Sequence, residues 1–167
     1  MKEVKLRNVF FPIWLFFAFP PIILISLPIN FIVDSIVLLL GSKVLKIKNL
    51  KSIYKKAIFK IFIFGFLADI IGALILLATQ FVPGEFWYQN VLAPLMFNPF
   101  HTVFSFIYCA IAIIITGILI YLFNKKITFK NINLDEKTKK KLCIIIAIFT
   151  APFFFLIPST IFYNGMF

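Results

Sequence analysis

The sequence predicts an all-α, polytopic integral membrane protein with four transmembrane helices preceded by an N-terminal interfacial or half-inserted helix. Three observations carry that expectation. First, 62% of the 167 residues are hydrophobic, 24 of them Phe, and the mean hydropathy is +1.05. Soluble domains are nearer about 45–50% apolar, and a chain this short keeps too much surface wet to hide such an excess in a water-bounded core. Second, all 17 cations fall in three short blocks. These are Lys2, Lys5 and Arg7; then Lys43, Lys46, Lys48, Lys51, Lys55, Lys56 and Lys60; then Lys125, Lys126, Lys130, Lys137, Lys139, Lys140 and Lys141. Third, the stretches between the blocks reach the roughly 20 apolar residues that a spanning helix needs.

The elements follow in order. Residues 9–40 are apolar but interrupted by Pro12, Pro20, Pro21 and Pro28. Proline removes a helix donor and biases the preceding residue away from helix, so Pro20-Pro21 is the natural break. Residues 9–19, with Trp14, then read as the interfacial segment, and residues 22–42 as the first span. The three cations before Val9 resemble the start of a signal peptide, but no small-x-small cleavage site follows, and a retained signal anchor is expected. Further spans are expected at 61–82, 100–123 and 142–163, the last containing Pro152 and Pro158. The 43–60 connector mixes Lys with Leu50, Ile53, Tyr54, Ala57 and Ile58 at helical spacing, which suits an amphipathic in-plane helix or a continuation of the flanking spans. The 124–141 connector is polar and lysine-rich. The 83–99 connector has no cation, one acid (Glu85) and the interface-favouring pair Trp87-Tyr88. The whole chain, 1–167, reads as a single membrane domain.

Cytoplasmic loops carry excess Lys and Arg. Loops 43–60 and 124–141 are therefore expected in the cytoplasm of a multi-pass cell-membrane protein, with 83–99 and the C-terminus outside. Four spans place the N-terminal block outside too, against its three cations. A re-entrant hairpin broken at Pro20-Pro21 would keep all the cations inside, and charge alone leaves both topologies open.

The net charge of +11 does not point to nucleic acid, because the cations flank membrane spans. The expected partners are the bilayer itself, anionic headgroups at the lysine loops, and a second copy or another membrane protein. Cys109 and Cys143 have no CxxC neighbour and read as small buried hydrophobes. With His101 the only histidine, no metal site is expected. No Walker, dinucleotide, HExxH or GxSxG element occurs, so no catalytic residue, enzyme activity or cofactor is expected. The wealth of Ile, Phe, Lys and Asn fits an AT-rich bacterial genome.

Two acids interrupt the spans, Asp34 and Asp69. An ionised Asp in mid-bilayer costs roughly 2.5–3.5 kcal/mol on insertion scales, so each is expected to be paired, protonated or functional. Asp34 precedes Lys43 by nine residues and Asp69 follows Lys60 by nine. At a helical rise of 1.5 Å both lie roughly 13 Å from the lysine loop, level with each other on antiparallel neighbours. Ser26, Asn30 and Asp34 are spaced by four and form a polar stripe. Gly65, Ala68, Asp69 and Gly72 form a small-residue stripe of the kind that lets membrane helices approach. Asp34 and Asp69, with Asn30 and Ser26, are the candidate intramembrane polar site. A protonated Asp can equally act as packing glue. Ser105, Cys109, Ala112 and Thr116, and likewise Ala147, Thr150 and Ala151, read as helix-packing faces. Two function classes remain: an accessory or structural subunit working through helix packing with partners, and a small oligomeric proton- or cation-coupled transporter or channel using Asp34 and Asp69.

Overall fold

The computed structural model describes residues 20–163; all the regular structure among them is helical, and they contain no strand. Helix α1 is Pro20–Val44. Helix α2 is Leu50–Leu77, extended by a 3-10 turn at Ala78–Phe81. A bent helix over 85–97, α3, has a π-helical middle at Tyr88–Leu92. Helix α4 is Val103–Phe123 and runs on through a π turn at Asn124–Thr128. Helix α5 is Glu136–Phe149, followed by a 3-10 turn at Phe153–Leu156 and a single helical turn, α6, at Thr160–Tyr163.

Three helices are long and apolar enough to cross a membrane: Ser26–Val44, Leu50–Phe81 and Val103–Thr128. The fourth expected span, 142–163, is not one continuous helix. It starts inside α5, stops at Phe149, and passes into irregular backbone around Pro152. Proline cannot donate to the preceding turn, and here two prolines six residues apart leave too little chain between them to rebuild a long helix. The interfacial segment expected at 9–19, the first cation block and the end of the chain after Tyr163 lie outside the described residues.

Two connectors are helical for most of their length. Residues 50–60 are not a loop but the first three turns of α2, the second of the two expected readings, a continuation of the flanking span, so the turn between α1 and α2 is only 45–49. Its hydrogen bonds, Leu45 N–H to Gly41 O, Lys46 N–H to Lys43 O and Ile47 N–H to Ser42 O, close α1 in a tight C-terminal turn. Lys46 within this turn and Asn49, which starts α2, both take the left-handed conformation, at φ 52° and 62°. The 83–99 connector is mostly helix α3, tied down by Trp87, whose indole N–H donates to Thr79 O at 3.0 Å.

Helix α1 packs on α2 and α5, and α4 packs on the same two helices, so the four close a ring. Burial follows helical spacing. On α1 it runs through Asp34, Leu38 and Gly41; on α2 through Ile61, Gly65, Ala68, Asp69 and Gly72; on α4 through Ser105, Cys109, Ala112 and Thr116. The opposite face of α1, with Ile29, Ile32, Ile36 and Leu40 each at least half exposed, is an apolar surface suited to lipid. Two apolar cores result. One, at the lysine-rich end, centres on Leu38, Ile61, Phe129, Leu142 and Ile146. The other joins Leu76, Leu95, Cys109, Ala112 and Phe155.

Close approach is set by glycine at two contacts. A β-carbon on Gly41 would come within 3.1 Å of Ile145 Cγ2 and 3.2 Å of Leu142 Cδ1, so α1 and α5 nearly touch there. A β-carbon on Gly72 would collide with the Thr116 hydroxyl and meet the Phe155 ring at 3.0 Å.

Candidate intramembrane site

Asp34 and Asp69 are brought together. They line one cavity of about 30 Å³ with Asn30, Val33, Gly65, Phe66 and Thr150. Three helices supply its polar groups: α1 gives Asn30 and Asp34, α2 gives Asp69, and the end of α5 gives Thr150. The location follows from the fold. The short 45–49 turn makes α1 and α2 neighbours, but the equal nine-residue separations do not set the depth of the acids: Lys43 stands at the end of α1, whereas Lys60 is already the eleventh residue of α2. Gly65 makes room on α2: its β-carbon position is 3.7 Å from Asp34 Oδ2, an ordinary contact distance with nothing in between. Asn30 is part of the lining as its spacing from Asp34 requires. Ser26 is half-buried one turn farther along α1 and is not among the lining residues.

Both acids are deeply buried, Asp34 at 5% exposure and Asp69 at 6%. Neither forms an ion pair; the single salt bridge among the described residues joins Lys139 to Glu136 at 2.6 Å. Asp69 Oδ1 is fully enclosed and accepts no hydrogen bond. A buried polar atom without a partner loses its hydration with nothing in exchange; Ser42 Oγ, Asn124 Oδ1 and Thr128 Oγ1 share that condition, but among these four only the Asp69 oxygen belongs to a carboxyl that could take up a proton or a cation.

Thr150, expected as part of a helix-packing face, is the member not expected at this site. It is the residue at which α5 ends, with φ −109° and ψ 5°. Its hydroxyl donates to Ile146 O at 2.8 Å, leaving the oxygen lone pairs available to the cavity.

The helix end matters electrostatically. The last carbonyls of a helix carry a partial negative charge, and the last turn of α5 ends at the cavity wall. Two carboxyls, an amide, a hydroxyl and a helix C-terminus thus converge. Every one of these groups can offer an oxygen, and none brings a fixed positive charge. A cavity of this size exceeds the roughly 10–15 Å³ that one water needs and is far below the roughly 300–1,000 Å³ of sites for organic ligands. It can hold a proton shared between carboxyls, a water, or a small desolvated cation.

The other expected packing faces are all interior. Thr116 donates to Ala112 O at 2.9 Å, and Ser105 donates to Pro99 O at 2.8 Å. The Cys109 thiol donates to Phe155 O at 3.5 Å, and neither cysteine is in a disulfide. His101 is exposed at the far end from the lysine turns and lies apart from the acids.

No known protein family, characterised protein or solved structure matches the chain. The site must speak through its own chemistry.

Proposed function

We propose that this protein is a small multi-pass membrane protein that binds and releases a proton or a small monovalent cation at the Asp34–Asp69 cavity, as part of a proton- or cation-coupled transporter or channel. The observation that carries this reading is the interruption of α5 at Thr150 beside the two acids. Irregular backbone at membrane depth is tolerated where it is enclosed by protein or lines a cavity, and the carboxyl ends of broken membrane helices are suited to cation coordination. Two like carboxyls at close quarters cannot both ionise unless a cation joins them, so the pair is a natural one-charge switch.

The topology that suits this reading has four crossings, the fourth made by α5 and the broken segment after it. Both lysine-rich turns would then lie on the cytoplasmic side, as the cation distribution requires.

A second reading is an accessory subunit that packs against other membrane proteins. The small size of the cavity favours it, because one copy encloses no continuous path. The small-residue stripe on α2 lends it no support, since Gly65, Ala68 and Gly72 are consumed inside the chain.

The test is flux in reconstituted vesicles. Purified protein in proteoliposomes loaded with a pH-sensitive dye should dissipate an imposed proton or Na⁺ gradient, and Asp34→Asn and Asp69→Asn should abolish that flux while keeping normal abundance. Loss of the folded protein in both variants, with no wild-type flux, would assign the acids to packing and leave the accessory reading standing.

A further inference from the structure

A second feature lies on the outer face of the bundle between α4 and α5. A groove of about 340 Å³ runs between them, walled by Ile114, Ile118 and Tyr121 on α4 and by Ile144 and Ile148 on α5, with Gly117 at its floor. The absence of a side chain at Gly117 makes it a groove. A β-carbon there would make only ordinary contacts, with Ala147 O at 3.6 Å and the Ala151 methyl at 4.0 Å.

Its lysine-rich end is not neutral. On α4 the series Ile114, Ile118, Tyr121 continues at the next turn to Lys125, and the Lys125 ammonium folds over the Tyr121 ring, 5.7 Å from its centroid. On α5 the series Ile148, Ile144 continues toward the N-terminus to Lys141 and Lys137, on the same helical face. All three lysines are exposed, whereas Lys139 on the other face of α5 is spent on Glu136. Apolar walls thus lead up to cations on both sides. From Ile113 to Tyr121 the groove extends about 12 Å at the helical rise, enough for the upper part of one acyl chain.

We infer that this groove is a binding site for an anionic phospholipid, with one acyl chain lying along Gly117 and the headgroup phosphate held between Lys125 and Lys141. A second membrane helix is a poorer fit, because it would have to meet cations on both walls where the groove opens.

The experiment is lipid selectivity measured by electron paramagnetic resonance. Spin-labelled phosphatidylglycerol is added to the protein in phosphatidylcholine vesicles, and the motionally restricted fraction is compared with that of spin-labelled phosphatidylcholine. The wild type should prefer phosphatidylglycerol. Lys125→Gln and Lys141→Gln should each lower the preference about five-fold, as expected for one cation near a phosphate. Lys46→Gln, in the turn between α1 and α2, should leave it unchanged. Gly117→Leu should abolish the immobilised component with all lysines present, and Ile118→Trp, at an exposed rim position, serves the same purpose if the glycine variant does not fold. An equal loss in Lys46→Gln, or an unchanged preference in both groove-filling variants, would reduce the effect to diffuse surface charge and overturn the site.

Discussion

Gly65 on α2 faces Asp34 on α1, with the glycine's β-carbon position 3.7 Å from the carboxyl Oδ2. That separation is an ordinary van der Waals contact, so a methyl group fits. Gly65→Ala should therefore fold at wild-type abundance while occupying much of a cavity of only about 30 Å³. Its expected outcome is loss of vesicle flux with both acids intact. Retained flux would mean that the space beside Asp34 has no part in function.

Asp69 has an enclosed oxygen with no hydrogen-bond partner, and Asp34 stands across the same cavity. At neutral pH the pair should hold a proton. Infrared difference spectroscopy should show a protonated carboxylic-acid band in the wild type whose position shifts in Asp34→Asn and Asp69→Asn. Absence of any such band at neutral pH in sodium-free buffer would argue against proton storage here.

The Gly72–Thr116 contact fixes α2 against α4. Gly72→Ala drives a methyl into the Thr116 hydroxyl and the Phe155 ring, and overpacking of this kind costs typically about 1–3 kcal/mol. Adding Thr116→Ala should recover part of that loss, because the two changes share one contact. Thermal unfolding of the single and double variants in detergent measures the coupling, and strictly additive losses would disprove the contact.

Lys46 adopts a left-handed backbone at φ 52°, a conformation that costs an ordinary L-residue roughly 1 kcal/mol. Lys46→Gly should raise stability by about that amount, read as a higher unfolding midpoint. A lowered midpoint would show that the lysine side chain contributes more than its backbone costs.

Asp135 caps α5, accepting the Thr138 N–H at 2.8 Å. That bond from the Thr138 backbone is the main cause that holds its carboxyl below the ordinary value of 3.8, with the Thr138 side chain and Lys137 adding to it. A depressed carboxyl contributes stability above its unfolded value and loses it as pH falls through the folded one. The first turn of α5 should therefore be better protected from amide exchange in wild type than in Asp135→Ala at neutral pH, and the two should converge in acid.

Much of the architecture was legible because the bilayer imposes simple rules. Apolar length located α1, α2 and α4, and Asp34 and Asp69 do line one cavity, although the lysine from which the depth of Asp69 is counted, Lys60, lies inside α2. The limits came from local backbone choices. Leu50–Lys60 carries six apolar residues among its lysines, and four of them, Ile53, Tyr54, Ala57 and Ile58, pack on the core, so α2 absorbs what composition suggested was a connector. The 142–163 stretch is apolar enough to span, yet Pro152 and Pro158 leave α5 short and turn its end into a wall of the site. Ser26 shares a helical face with Asp34, but that face runs on past the cavity. Thr150 read as a packing residue because its role depends on where the helix stops, which apolar length does not encode.

The turn at 45–49 has one more consequence, for how the protein is made. If α1 and α2 both cross a bilayer, the five residues between them tie their insertion together as a hairpin. Asp34 and Asp69 would then leave water as neighbours in one cavity, at less cost than a lone acid in hydrocarbon. A lengthened, flexible turn would uncouple the two insertions and show its defect during biosynthesis, before any property of the finished protein could be measured.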